Sequence, residues 1–245
     1  MFRDSASSAL NSLPEFQVRV SNRARRVRLT VTPRDGLVVV VPRRWRGDPA
    51  TLVAEKADWA RAALATVAER HALLAAGPDA LLPHIIELGA IGEIWPVEYR
   101  TTSSASVRAY AEGTMLVVSG AVDDAEACLA ALTRWLDRIA RERLLPLLAQ
   151  TAADVGLAYQ SARVRSQRTR WGSCSSRTTI SLNRNLVFLP PSLVRSLMLH
   201  ELAHTLVMNH SQRFWVALEA LDPDTQLHRV QMRAAHDFVP PWADA

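Results

Sequence analysis

Five consecutive residues, His200-Glu201-Leu202-Ala203-His204, hold the functional groups of a metal-assisted hydrolysis. Helix positions four apart lie one turn above each other, so both imidazoles can face one ion. Glu201 sits roughly 100° further round such a helix, where it can meet a metal-bound water without being a ligand. Leu197, Met198, Leu202 and Leu206 give the segment an apolar side to bury. Burying two histidines and a glutamate there is costly unless something satisfies their polar atoms. A catalytic zinc does so; it takes three protein ligands and leaves the fourth position to water. The first candidate for the third ligand is His210. Asn209 is a helix stop, and Ser211 can cap the next helix and fix the turn back toward the metal. Glu219 is the alternative, with His228 and His236 as weaker ones. In such a site Glu201 takes the proton of the attacking water as general base and passes it to the leaving group. The donor that meets the developing oxyanion stays open among Tyr159, Arg213 and His228.

The elements that must position these groups are legible in outline. Residues 17–32 alternate apolar and polar and are expected to form one strand, with Val27, Leu29 and Val31 on one face. Pro33-Arg34-Asp35-Gly36 is a turn signal, and residues 37–41 complete a hairpin. Asp48 and Pro49 start a helix that should bury Leu52, Trp59, Ala63 and Val67 and end at Gly77-Pro78. Short strands follow around 84–89, 93–100, 105–111 and 114–119. A long helix begins at Asp123, with Leu129, Leu132, Leu136 and Ile139 as its stripe, and Pro146 should kink or break it. Residues 161–168 and 177–183 are predicted strands, joined by a turn at Trp171-Gly172-Ser173-Cys174. Pro190-Pro191-Ser192 opens the metal-binding helix, which should run to about Met208. Ser211 and Asp224 are expected to cap two further helices, the last ending before Pro240.

Composition narrows the class. The chain has 245 residues, 49% hydrophobic and 22% charged, so it can bury a core. No stretch approaches the roughly 20 apolar residues of a membrane span, and the first residues lack the apolar centre of a signal peptide. Cys128 and Cys174 are the only cysteines, which excludes a disulfide framework and a four-cysteine zinc site and favours a reducing cytoplasm. Lys56 is the only lysine among 29 cationic residues. Residues 16–46 carry nine arginines (Arg19, Arg23, Arg25, Arg26, Arg28, Arg34, Arg43, Arg44 and Arg46) against one acid, Asp35. Arg163, Arg165, Arg168 and Arg170 form a second run. Such runs are either a solvated strand face or an attractor for nucleotides and nucleic acid.

Arg170-Trp171-Gly172-Ser173-Cys174-Ser175, then Ile180-Ser181-Leu182-Asn183, then the metal-binding pentad, then Asn209-His210-Ser211 with Phe214-Trp215, resembles the YgjP-like metallopeptidases, relatives of the SprT-like zincins. The arginine-rich hairpin and Trp59 share the likeness. The element pattern is that of an α+β chain, with a β-rich portion carrying one helix over residues 1–122 and a zincin-like helical catalytic domain with a small sheet over residues 123–245. The resemblance implies one zinc per chain on His200, His204 and His210, Glu201 as base, and a polypeptide substrate. Metzincins place a glycine where this chain has Val207, so the turn after the helix must differ. In many zincins a strand before the active helix aligns extended substrate; residues 178–183 are expected to be that strand, buttressed by Arg170 and Trp171. Two further functions compete: a zinc-dependent nucleoside-triphosphate pyrophosphatase whose arginines hold phosphates, and a DNA-associated protease that contacts nucleic acid through Arg23, Arg25 and Arg26. No phosphate loop of the GxxxxGK[ST] type supports the former.

Overall fold

The computed structural model describes residues 13–32, 35–167 and 170–244, which divide into two compact units at Gly77–Pro78. The boundary expected near residue 122 is therefore not where the chain divides, because the strands before it share a core with the long helix after it. Pro33, Arg34, Arg168 and the N-terminal segment lie outside the described residues.

In the first unit the expected single strand is two, β1 (Phe16–Ser21) and β2 (Arg28–Thr32). Ser21 Oγ accepts from the N–H groups of Arg23 and Ala24 and turns the chain between them. Both strands flank β3 (Gly36–Pro42), β1 in parallel and β2 antiparallel, so the expected hairpin is β2–β3 alone. Asp48 caps α1 (Pro49–Glu55) by accepting from Ala50 N–H. Lys56 leaves the helical region, and α2 (Ala57–Ala75) starts anew rather than continuing one helix. Leu37, Val39 and Val41 bury against Val53 and Ala60. Trp59 is 47% exposed, so the helical face that packs is displaced from the expected one.

The second unit begins with β4 (Ile85–Leu88), β5 (Glu93–Thr101), β6 (Arg108–Glu112) and β7 (Met115–Gly120), in the order β4-β5-β7-β6. Helix α3 (Ala125–Asp154) packs beside them, capped by Asp124, whose carboxylate accepts from Ala127 N–H at 2.9 Å. It runs unbroken through Pro146. An interior proline costs about 3 kcal/mol. Leu144 and Leu148 are fully buried on the flanking turns. Each is worth about 1.5–3 kcal/mol, enough to hold the helix together.

The part that carries the site follows. Strands β8 (Ser161–Arg165), β9 (Gly172–Cys174) and β10 (Thr179–Asn183) form a sheet in the order β8-β10-β9. The expected turn at Trp171–Cys174 is thus a strand; the reversal falls at 175–178, where Thr178 takes φ 52°. Helices α4 (Pro191–Ala203), α5 (Gln212–Leu221) and α6 (Thr225–Gln231) complete the unit, with a 3-10 segment at Met232–Phe238. Helix α4 stops well before Met208. Thr205 Oγ1 caps the Leu202 carbonyl, and Leu206 N–H bonds back to Ala203, closing the last turn early. The architecture is α+β throughout. Replacing Leu144 with alanine should cost about 2–5 kcal/mol in urea unfolding, the range for a large core deletion.

Candidate metal centre

Helix α4 is held on one side by Leu193, Val194, Met198 and Leu202, all buried in the main core. A different face carries His200 and His204. The loop after α4 then returns His210, and the Nε2 atoms of His210 and His200 lie 3.1 Å apart. One ligand atom from each of the three histidines falls within 4.8 Å of the other two. His204 Nδ1 donates to the Val207 carbonyl at 3.2 Å, because a carbonyl can only accept. That fixes the tautomer with a lone pair on Nε2. It also answers how a turn with valine at this position supports the site: Val207 contributes its backbone oxygen. Phe214, fully buried, stacks on His204 with centroids 4.5 Å apart. Asn209 Oδ1 accepts from Ser211 N–H at 3.2 Å, so the side chain that shapes the return is Asn209. Ser211 stands at the start of α5 but makes no side-chain capping bond.

The donor set fits a metal ion. In a tetrahedral site with metal–nitrogen bonds of about 2.0–2.1 Å, ligand nitrogens stand about 3.3 Å apart, close to the His200–His210 spacing. Burial pushes His200 down to about 4, helped by the neighbouring His204 and His210. Burial lowers His204 as well. Both shifts favour the neutral imidazole, the form that ligates. Glu201 is 4% exposed, and its Oε2 has no hydrogen-bond partner. Burial pushes its carboxyl up to about 7.

The Trp171–Cys174 segment gains its explanation here. A Cβ on Gly172 would come 2.6 Å from Glu201 Oε1 and 2.9 Å from its Cγ, so glycine is what lets β9 lie against the carboxylate. Asn183 pins this arrangement. Its amide donates to the carbonyls of Gln167 and Arg170 at 2.7 and 2.9 Å, and its N–H bonds the Trp171 carbonyl at 2.8 Å. Cys174 stays a thiol, its pKa raised first by burial and then by Glu201.

Other expectations fare differently. Glu219 is exposed and accepts from Gln226 at 3.2 Å, outside the histidine cluster. His236 stacks on Trp171, centroids 4.7 Å apart. His228 Nδ1 lies 2.9 Å from Asp222, which also receives a hydrogen bond from Ser196 at 2.5 Å. Tyr159 packs against the core, and Arg213 is exposed at the start of α5. Strand β10 cannot take up substrate. It is central, with β8 on one side and β9 on the other. Among the described residues β9 pairs with β10 alone, so the open edge beside Glu201 belongs to β9. In the sequence Gly172, Asn183 and Phe214 stand only as residues of the motifs that carry the resemblance; their packing roles at the site depend on partners distant in the chain.

The buried carboxyl sets a stability test on metal-free protein. Its folded pKa, about 7, lies above the ordinary 4.5, so the stability linked to its neutral form is complete below pH 4.5 and lost as pH rises through 7. Glu201→Gln should therefore stabilise metal-free protein by about 1–3 kcal/mol at pH 8 and give no gain at pH 4.5, read by urea unfolding at both pH values.

Comparison with curated proteins finds no match. The family model described as YgjP-like, metallopeptidase domain, matches residues 25–235, a stretch that includes β2, the β8–β10 sheet, the three histidines and Glu201. With most of its length matched and the histidine cluster, buried glutamate and Gly172 in one place, the chain belongs to the YgjP-like metallopeptidase family.

Proposed function

We propose that this chain is a zinc-dependent metallopeptidase that hydrolyses peptide bonds, with His200, His204 and His210 holding one zinc and Glu201 as general base. The observation that carries this reading is the convergence of three imidazoles beside a buried glutamate oxygen that no protein group satisfies. When bound, zinc supplies Lewis acidity to the attacking water and to the scissile carbonyl. His204, fixed by the Val207 carbonyl, presents Nε2 inward. Glu201 accepts a proton from the attacking water and later gives it to the departing amine; a carboxyl near neutrality suits both transfers. Gly172 keeps the carboxylate against β9, and the open β9 edge offers main-chain partners to an extended polypeptide.

A second reading, anion recruitment, is supported by a cavity of about 630 Å³ lined by Arg165, Ser166, Gln167, Arg170 and Ser173. Arg43, Arg44 and Arg46 line another with Asn22, Ala24 and Pro42. Both could attract a nucleotide or nucleic acid. Ser173 is one residue along from Gly172, hence on the opposite face of the sheet from Glu201. This favours the arginines as a docking feature over phosphate hydrolysis at the metal. Nucleic-acid binding through them predicts affinity that falls steeply with salt and is lost when Arg23, Arg25 and Arg26 are replaced. Among the described residues no helix is long and apolar enough to cross a membrane. We assign the cytoplasm as the working compartment, consistent with two free cysteines.

Mass-spectrometric product analysis of zinc-loaded protein, offered unfolded polypeptide and nucleoside triphosphates, tests the peptidase. New peptides should form, and Glu201→Gln should keep its zinc while losing about 10²–10⁴-fold in rate. His210→Ala should lose the metal; stoichiometric zinc in that variant would remove His210 from the ligand set. Nucleoside monophosphate and pyrophosphate beside intact polypeptide would overturn the peptidase in favour of phosphate chemistry.

A further inference from the structure

Beside the three histidines and Glu201 lies a cation, Arg229, that the chemistry above does not use. Arg229, on α6, is exposed, and its guanidinium carbon lies 4.2 Å from the centre of the Trp215 ring. Trp215 in turn lies against the ligand cluster, 5.6 Å from the His210 ring and 6.4 Å from that of His200. Stacking of this kind holds a guanidinium flat and in place while leaving its N–H edge free. Nη1 donates to Gln226 at 3.1 Å, and among the described residues no carboxylate pairs with Arg229. Gln226, which accepts from Nη1, donates in turn to Glu219 at 3.2 Å, and Asp222 is occupied by His228 and Ser196.

An unpaired cation next to three metal-binding imidazoles adds positive potential where a divalent ion would already sit. That arrangement suits a substrate that brings negative charge. Guanidinium edges match carboxylates in geometry, with two parallel N–H···O bonds.

We infer that Arg229, braced on Trp215, is a specificity-determining residue that receives a substrate carboxylate beside the scissile bond, either an Asp or Glu side chain or the chain's own C-terminus. The inference rests on the peptidase reading of the same site. It makes Arg229 a binding residue, with no part in proton transfer.

The test uses full-length, zinc-loaded protein and matched peptides. One set carries Glu, Gln or Lys next to the cleaved bond, and each member is made with a free or an amidated C-terminus. Wild type should favour the carboxylate form by about tenfold in kcat/KM, which corresponds to about 1.4 kcal/mol. Dependence on the Glu–Gln pair identifies a side chain, and dependence on amidation identifies the C-terminus. Arg229→Gln should abolish the ratio, and Arg229→Glu should turn it toward Lys-containing peptides. Trp215→Leu should weaken the ratio by loosening the guanidinium. Fluorescence polarisation of the same peptides on zinc-loaded Glu201→Gln should show the preference in Kd, without turnover, and lose it in the Glu201→Gln, Arg229→Gln double variant. Peptides cleaved with the same ratio by wild type and Arg229→Glu would overturn the role of Arg229 while leaving the peptidase intact. Failure of every peptide to bind or to be cleaved would overturn the peptidase reading and this inference with it.

Discussion

The burial of the Glu201 carboxyl against Gly172 is the constraint on which the rest of the site depends. A carboxylate in a dry position with an unpartnered oxygen is expensive. It persists because α4 is locked into the core on its apolar side and because β9 has no side chain where the carboxylate must lie. A methyl group at position 172 would run into the Glu201 side chain, at Oε1, Cγ and Cδ alike. The strand, the helix and the glutamate thus form one unit, and the raised pKa is a consequence of that packing.

The imidazoles are arranged by a related economy. Their spacing on α4 comes from the helix, but their chemical state comes from surroundings. Burial favours the neutral form of His200 and His204, the Val207 carbonyl chooses the tautomer of His204, and Phe214 stacks behind its ring. The early end of α4 matters as much. If the helix continued to Met208, His210 would be carried along the axis and away from the other two. Thr205 and Asn209, through local hydrogen bonds, convert that helical path into a return.

The polar groups around the centre are sorted by the faces of the short sheet. Gly172 and the apolar residues Ile180 and Leu182 belong to the side that meets Glu201 and the core. Ser173 and Ser181 are cross-strand partners on the other side, with Arg163 Nε donating to Ser181 at 3.1 Å. The same strand alternation that builds the core therefore separates the arginines of this sheet from Glu201 and the helix that carries it. Arg229 differs, since it arrives from a helix and stays beside the histidines through Trp215.

What the sequence determined by itself was the set of groups whose relation is local. Two histidines four apart, a glutamate between them, an Asn-His-Ser return, an Asp48 cap and the long stripe of α3 are all encoded within a few turns, where helical geometry leaves little choice. The tertiary structure decided what depends on partners distant in the chain. Pro146 was a breaker by local rules, yet the burial of Leu144 and Leu148 outweighs its lost hydrogen bond. Strand β10 looked like a substrate edge until β8 and β9 paired with it on both sides. The boundary moved to residue 77 because the middle strands and α3 share one core, a contact that no local pattern announces. Gly172 carried no visible function in the sequence, since its role is the space it leaves for a side chain 29 positions later. Helical periodicity is read along the chain, whereas strand pairing and close packing are chosen among long-range competitors and become visible only once the chain has folded.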